Sequence, residues 1–418
     1  MNKLNDWILD CASGPFGSNL KVECFVESGF PIIDGANMTG VALTDNVTKF
    51  VTEEKARSLQ RSIAKRHDVV VTISGTLGQV VYVPLDSEYE EYLCSQRQFR
   101  VTFDESKVDV EYLVYYLHTT EGQKKILSFA NYVGVPALSQ PLPNFKNIEV
   151  DFPDVEEQHR IVARIKVIDD KIANNNAICS NLEAMAKLLY DYWFVQFDFP
   201  DENGKPYKSS GGKMVWNDEL KREIPAGWEA GVLGDVIEKY TDGISSSNIG
   251  DLPYTPMDIL PMRQMSFSET GSQEDANSSL IRYKKYSLLF GAMRPYFHRV
   301  CIAPFDGITR TTVFTLKERG NGELGYAFET LDQDYTVNYA NAHHVGTQQP
   351  YAEWDGNMEK CTIPLPPAEL RRKYSQMISD YIDVVIERNL ENKQLASLRD
   401  FLLPMLMNGQ VKVGKESA

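Results

Sequence analysis

Two groups of basic residues have side chains of the kind that bind anions, and each lies beside a segment that reads as strand, polar turn, strand. The group in the first half follows Glu53 and Glu54 in a predicted helix and comprises Lys55, Arg57, Arg61, Lys65 and Arg66. The group in the second half comprises Arg282, Lys284, Lys285, Arg294, Arg299 and Arg310. Such cations neutralise phosphate, and arginine also binds a guanine edge through two hydrogen bonds. The alternative is a solvated basic face without a ligand, which the occurrence of a cluster in both halves makes less attractive.

Two glycine turns could contribute backbone donors to the same chemistry. They are the segments 14–19 and 74–78, each with glycines among small or polar residues. Backbone N–H groups in such turns can hold a phosphate. Taken alone, however, a glycine turn is usually structural.

The motifs expected of an enzyme are absent from the sequence. There is no phosphate-binding Gly-x-x-x-x-Gly-Lys-Ser/Thr loop, no His-Glu-x-x-His, no Gly-x-Ser-x-Gly, no Rossmann glycine pattern and no adenine-methyltransferase loop. The adjacent His343 and His344 lack the carboxylate or cysteine neighbours of a metal site, and no Cys-x-x-Cys occurs. We therefore predict no catalytic residue, no bound metal and reduced cysteines.

The net charge initially counts against DNA binding. Lys plus Arg number 43 and Asp plus Glu 58, which gives a net charge of −15 and a pI near 5.0. Acidic residues are spread over both halves, whereas the basic residues cluster, so the total does not exclude DNA. It does predict weak DNA binding by the isolated chain. No stretch approaches the ~18 apolar residues of a membrane span, and the N-terminus lacks the features of a signal peptide, so we expect a cytoplasmic protein.

The elements that must position these residues belong to a long internal repeat. Residues 153–193 align without a gap on residues 366–406, and each copy opens with proline and acid, as a helix N-terminus does. Each copy therefore predicts one long helix, over 153–198 and 366–410.

Apolar residues recur in both helices with alternating spacings of four and three, which is the pattern of a coiled-coil seam. Polar residues interrupt both seams near the middle, at Asn175 in the first helix and at Arg388 and Asn392 in the second. Such interruptions can fix the register and the choice of partner. The alternative is that each helix packs only on its own domain.

Weaker matches extend the repeat in front of both helices. The segment 68–84 resembles 287–304, and Gln98–Val101 resembles Val313–Leu316. We therefore predict two related mixed α/β domains, over 1–152 and 228–365, each followed by a long helix. A linker over 199–227, rich in Pro, Gly and Ser near its start, joins the two copies, and 411–418 forms a tail.

Over almost its whole length the chain resembles the DNA-specificity subunits of bacterial type I restriction-modification systems. The most specific segments are Phe152–Ile161, the helix end Tyr192–Phe197, and Gly204–Gly212 leading to Ile224–Trp228. The recognition domains match only in outline, as expected of parts that vary with the DNA sequence. One departure is Glu369-Leu370-Arg371-Arg372, where the first helix has Glu156-Glu157-Gln158-His159-Arg160.

The resemblance implies two target-recognition domains joined by two helices in an antiparallel coiled coil with pseudo-two-fold symmetry. Such a subunit performs no chemistry. It selects double-stranded DNA with a bipartite target and holds two methyltransferase subunits, to which restriction subunits are added. No cofactor is expected on this chain, and S-adenosylmethionine, ATP and Mg are expected on the partner subunits. Because a helix of ~40 residues spans ~60 Å, helix length would set the spacing between the half-sites.

Within that interpretation, the side-chain types suggest roles. The candidates for guanine are Arg97, Arg294 and Arg310, and those for adenine are Asn19, Gln98, Asn248 and Gln348. The candidates for phosphate are Lys21, Arg57, Arg61, Lys65, Arg66, Lys284, Lys285 and Arg299. Ser74, Thr76 and Tyr296 complete the predicted DNA-binding set. The predicted partner-binding residues are Glu156, Glu157, Gln158, Arg160, Glu369, Arg371 and Arg372.

Two other interpretations stay open. An acidic coiled-coil scaffold or DNA mimic would recruit proteins without reading DNA, which the net charge favours and the duplicated polar hairpins disfavour. An enzyme with an unfamiliar site is disfavoured by the missing motifs. The sequence reveals neither the half-sites nor the spacer, because recognition domains of this kind have no legible residue-to-base code.

Overall fold

The computed structural model describes residues 2–346 and 349–411, which divide into two compact units. Unit 1 contains the chain up to Asp170 and from Ser397 onward, and unit 2 contains Lys171–Ala396. The helices are α1 Glu53–Ser58, α2 Val110–His118, α3 Thr120–Leu127, α4 Pro141–Lys146, α5 Val155–Tyr190, α6 Leu324–Asp332, α7 Asp334–Ala342 and α8 Ala368–Met407. Each of the long helices α5 and α8 contributes one segment to each unit.

Unit 1 is built on two larger sheets and two separate two-stranded pairs. Its strands are β1 Asn2–Lys3, β2 Ile8–Ser13, β3 Phe25–Val26, β4 Phe30–Ile33, β5 Phe50–Val51, β6 Ile63–Lys65, β7 Val69–Thr72, β8 Val80–Tyr82, β9 Glu91–Cys94, β10 Gln98–Phe103, β11 Ala130–Asn131, β12 Ala137–Leu138 and β13 Glu149–Val150. One larger sheet has the order β2-β10-β7-β8 and the other β3-β5-β4-β9-β6, and the separate pairs are β1-β13 and β11-β12. Strands β4 and β9 are parallel, so their carboxyl ends meet at one edge.

Unit 2 repeats the first of these sheets. Its strands are β14 Met214–Asn217, β15 Arg222–Pro225, β16 Glu229–Val232, β17 Ile237–Lys239, β18 Asp242–Ile244, β19 Leu280–Tyr283, β20 Leu288–Gly291, β21 Val300–Ile302, β22 Gly307–Arg310, β23 Val313–Glu318 and β24 Thr362–Leu365. The order β17-β23-β20-β21 matches β2-β10-β7-β8 strand for strand. The predicted similarity of segments 68–84 and 287–304 therefore reflects equivalent hairpins, β7–β8 and β20–β21.

The long helices start and stop for local reasons. At the start of α5, the Asp154 carboxylate accepts a hydrogen bond from the N–H of Glu157 at 2.8 Å, which satisfies a donor that the helix leaves unpaired. After Tyr190 the helix widens into a π-turn over Asp191–Val195, which buries Trp193 and Phe194. Aromatic rings packed there end the helix against the core of unit 2.

Within unit 2, the segments of α5 and α8 run in opposite directions. Asn175 Nδ2 donates to Glu391 Oε2 and Asn392 Oδ1, both at 2.9 Å. Further along α5, the Ala186 carbonyl accepts from the hydroxyl of Tyr374 at 2.8 Å. The polar residues in the middle of the two seams therefore bond to one another rather than to solvent alone.

Within unit 1, the first turns of α5 and the last turns of α8 share one core. Ile161 and Ile165 are buried in the cluster that contains Leu403 and Leu406. An ion pair joins Arg399 to Asp169 at 2.9 Å, and the hydroxyl of Tyr115 on α2 donates to the same carboxylate at 2.5 Å. Apolar side chains of both long helices are therefore buried within unit 1.

Near the start of each long helix, a side chain at an equivalent position bonds to the helix's own domain. In unit 1, Gln158 accepts from the N–H of Asp109, at 2.9 Å, and donates to the carbonyl of Pro153, at 2.8 Å. In unit 2 the equivalent Arg371 pairs with Glu323 at 2.7 Å and donates to the Pro366 carbonyl at 2.8 Å. The amide of Gln158 in unit 1 and the ion pair between Arg371 and Glu323 in unit 2 therefore make this joint between helix start and domain at equivalent places.

The described residues contain no helix long and apolar enough to cross a membrane. All six cysteines lie within the described part and are free thiols.

Candidate nucleic-acid interface

In unit 1 a cleft of about 550 Å³ opens at the carboxyl ends of strands β4, β7 and β9. Its walls are the segment 34–36 after β4, the loop 74–79 after β7 and the turn 95–98 after β9. Since β4 and β9 run in parallel, the segments that follow them are brought to the same edge. Sequence distance is therefore no guide to which residues meet here.

The cleft is lined by charged and amide groups. Lys49 Nζ lies 2.7 Å from Asp34 Oδ2. Partial burial pushes the pKa of Asp34 upward, but the Lys49 ammonium and the Ala36 N–H outweigh it and hold the pKa below its usual value. Gln79 donates to the Gly35 carbonyl at 3.3 Å. The surface thus offers donors and acceptors of the kind that bind base edges.

Several predicted residues come together at this cleft. Ser74, Thr76 and Arg97 line it, and Thr76 and Arg97 are exposed. Asn19 and Lys21 are exposed on either side of Leu20, which also lines it.

Gln98 also borders the cleft, but its side chain is only 1% exposed. Its Oε1 accepts from the N–H of Ser95 at 2.9 Å and from the Ser95 hydroxyl at 2.7 Å. Gln98 therefore fixes the turn that presents Arg97.

The basic group after Glu53 lies elsewhere. Lys65 pairs with Glu91 at the start of β9, whereas the cleft forms after the end of that strand. Arg57 bonds to Glu91 at 2.5 Å and to Glu53 at 2.8 Å, and these contacts raise the pKa of its guanidinium. Arg66 donates to the Ser87 carbonyl at 2.7 Å, while Arg61 is exposed. Acidic residues therefore neutralise much of this predicted cluster.

In unit 2 the loop that follows β20 carries two of the predicted residues outward. Arg294 is exposed, and Tyr296 is 52% exposed. The main chain at Arg294 is left-handed, with φ of +51°, and its N–H donates to the Pro350 carbonyl at 2.7 Å. This loop corresponds to the cleft loop of unit 1.

Two other predicted arginines of unit 2 are held by backbone oxygens of their own domain. Arg299 donates to the carbonyls of Leu260 and Asp258, the latter at 2.8 Å. Arg310 donates to the carbonyl of Asp275 and to Asn277 Oδ1, both at 2.8 Å. These contacts tie long loops to the sheet, which is a structural task.

The remaining predicted DNA-binding residues of unit 2 are dispersed. Lys284 and Lys285 are exposed in the turn before β20, at the opposite end of that strand from Arg294. Asn248 is exposed in the turn Ser246–Asn248. Gln348 lies outside the described residues. The structure therefore places these side chains at separate points.

The predicted partner-binding residues divide into two groups. Glu156, Glu369 and Arg372 are exposed, whereas Glu157 and Arg160 are half-buried and pair with each other at 2.5 Å. Gln158 and Arg371 point into their own domains and make the joints described above. Only the first group is exposed at the helix starts, and within it Glu156 also pairs with Arg160 at 3.2 Å.

The cleft residues that sequence reasoning did not find include Asp34, Lys49, Gln79 and Gln96. Each is a single polar residue in an unremarkable context. For Asp34, and for Lys49 which pairs with it, the parallel pairing of β4 with β9 is what brings them near Arg97.

Comparison with known proteins shows which proteins this chain is similar to. The family described as "Type I restriction modification DNA specificity domain" matches residues 22–184. The MjaIX specificity subunit of Methanocaldococcus jannaschii, a type I restriction enzyme subunit, is 24% identical over 87% of this chain and 82% of its own length. The HindI specificity subunit of Haemophilus influenzae is 20% identical over 79% of this chain and 83% of its own length.

A solved structure has a similar fold. The type I restriction-modification S subunit from M. genitalium superposes with a TM-score of 0.57 at 15% identity, covering 97% of this chain and 95% of that one. Over most of its length the chain is therefore similar to the specificity subunits of type I restriction-modification systems.

Proposed function

We propose that this chain is the sequence-specific DNA-recognition subunit of a type I restriction-modification complex. Its two domains would read the two halves of a bipartite target, and it would hold two methyltransferase subunits and the restriction subunits. Arg97 in unit 1 and Arg294 in unit 2 carry the proposal. Both are exposed, Arg97 in the turn before β10 and Arg294 in the loop after β20, and their guanidinium groups make no hydrogen bond or ion pair with the rest of the described chain.

The chain itself would contribute recognition rather than catalysis. S-adenosylmethionine, ATP and Mg would bind to the partner subunits, in the cytoplasm. Glu156, Glu369 and Arg372 are the residues that we propose for partner contact, because their side chains are directed outward.

The long helices would set the distance between the two half-sites. We propose that α5 and α8 form an antiparallel coiled coil relating the two domains by a pseudo-two-fold axis. The antiparallel contacts of Asn175 and Ala186 with α8 support this arrangement. Asn175, Glu391 and Asn392 would fix its register, because a shifted register would leave a buried amide unpaired.

Duplex binding by the chain alone and by its complex with the methyltransferase subunit tests the proposal. Because the net charge is −15, we expect the isolated chain to bind DNA weakly at physiological salt. The complex should prefer its target over unrelated duplex by about 10³-fold or more. A complex that does not discriminate would favour the acidic scaffold instead. Tight, specific binding by the chain alone would contradict the need for basic surfaces on the partners.

A further inference from the structure

The hairpin loops of the two units can be matched residue by residue through their hydrogen bonds. Strand β7 pairs with β10 so that Val71 lies opposite Phe99, and in unit 2 Phe290 lies opposite Phe314. The N–H that follows each strand donates to the neighbouring turn, from Ile73 to Arg97 at 2.6 Å and from Ala292 to Thr312 at 2.9 Å. Thr312 is therefore the counterpart of Arg97.

Two positions further along, the match continues. The N–H of Gly75 donates to the Pro136 carbonyl at 2.9 Å, and the N–H of Arg294 donates to the Pro350 carbonyl at 2.7 Å. Both residues have positive φ, +96° at Gly75 and +51° at Arg294. Arg294 is therefore the counterpart of Gly75, and an arginine occupies a backbone conformation for which unit 1 uses glycine.

That conformation is costly for a residue with a side chain, by roughly 1–2 kcal/mol. Contacts of the Arg294 side chain within the described residues do not offset the cost, because its guanidinium is exposed and makes no hydrogen bond there. Strained residues of this kind cluster at sites of function. A strained backbone together with an exposed guanidinium that has no partner in the described residues fits a side chain that binds an external ligand.

Unit 1 has a guanidinium at the same point of the loop. Arg97 Nη1 lies 3.7 Å from the place where a Cβ on Gly75 would be. Apart from Gly75 itself and its neighbours Ser74 and Thr76, it is the only group within 4 Å of that place in the described structure. A side chain at position 75 would thus begin where the Arg97 side chain ends.

We propose that Arg97 and Arg294 perform the same task from two different backbone positions, each reading one guanine at the equivalent place of its half-site. The proposal rests on the proposed function. It adds that the base read is guanine and that the arginine can be carried by either of two backbone positions. A guanidinium suits guanine because it can donate to O6 and N7 together. Unit 1 has Gly75 and Arg97 at the two positions where unit 2 has Arg294 and Thr312. Either arrangement would serve in either unit.

Exchange variants in the assembled complex, on its target duplex, test this. Arg97→Thr and Arg294→Gly should each weaken target binding about 5- to 150-fold, the range of one bidentate base contact. Restoring the guanidinium from the other position, in Arg294→Gly/Thr312→Arg and in Gly75→Arg/Arg97→Thr, should recover most of that loss. Replacing one guanine per half-site by 7-deazaguanine, which lacks N7, should weaken target binding by the wild-type complex. It should not weaken binding further in the single variant that already lacks the arginine for that guanine. Lys107→Thr, in the turn after β10, and Lys317→Thr, on β23, are the controls and should bind as wild type does.

The outcomes separate this proposal from the function on which it rests. Arg294→Gly should not lower the unfolding midpoint, since glycine relieves the strained backbone, so its binding loss cannot be attributed to misfolding. Equal weakening on target and unrelated duplex would mean phosphate contact and would overturn the base assignment. If Arg294→Gly/Thr312→Arg does not recover target binding although its unfolding midpoint is unchanged, the claim that the two backbone positions are interchangeable is wrong. If the wild-type complex itself does not discriminate its target, the proposed function fails first.

Discussion

Replacing Arg371 by methionine is expected to lower the free energy of unfolding of unit 2 by about 3–5 kcal/mol. The carboxylate of Glu323 is 1% exposed and is paired with Arg371 at 2.7 Å. Removal of the guanidinium leaves that charge buried without compensation, and the Pro366 carbonyl also loses a donor. Urea denaturation followed by tryptophan fluorescence measures the change, because Trp193, Trp228 and Trp354 lie in the core of unit 2.

The repeat supplies both a control and a rescue for this experiment. Arg372→Met removes the exposed neighbouring cation and should leave stability within about 0.5 kcal/mol of wild type. The double variant Glu323→Asp/Arg371→Gln installs the residues that make the same joint in unit 1, where Gln158 bonds to the Asp109 N–H. The double variant should recover most of the free energy of unfolding that Arg371→Met loses. Equal stability of Arg371→Met and wild type would show that the ion pair does not hold the helix start.

A four-residue insertion at the polar centre of α5, matched by one in α8, is expected to lengthen the spacer of the DNA target. Four residues add about 6 Å of helix, and one base pair adds about 3.4 Å, so the gap should grow by one or two base pairs. Both half-sites should stay the same, because their loops are untouched. Coiled coils accommodate four-residue insertions by local unwinding.

The matched control is the same insertion in the linker, after Glu202, which is exposed. It should leave the spacer unchanged. Sequencing of methylated DNA from cells that carry each variant gives the gap directly. An active α5/α8 variant that still methylates the original motif would contradict a spacer set by helix length.

The long helices are the most predictable part of the fold. Their alternating apolar spacing is enough to identify buried positions, among them Ile161 and Ala186. The polar break is also visible in the sequence, and Asn175 bonds to Glu391 and Asn392 there. A helix can be predicted from sequence because one face of a continuous segment must be buried. The spacing of its apolar residues therefore shows which residues lie on that face.

The interface is less predictable, because residue type does not reveal partners that are distant in sequence. Arg57 is exposed in a basic run, yet Glu91, on another strand, neutralises it. Arg299 and Arg310 have the chemistry to bind DNA but hold loops of their own domain. Conversely, Asp34 and Lys49 reach the cleft only because β4 pairs in parallel with β9. Contacts between segments that are distant in sequence, which no local pattern encodes, decide each of these cases.

The central claim is that this chain selects a bipartite DNA sequence for methylation. The most direct measurement compares methylated motifs across the host genome with the gene present, deleted and restored. We expect one motif of two short half-sites, separated by a gap of fixed length and free sequence, to lose methylation on deletion and regain it on restoration. Unchanged methylation in the deletion strain, or loss of a single uninterrupted motif, would contradict the account.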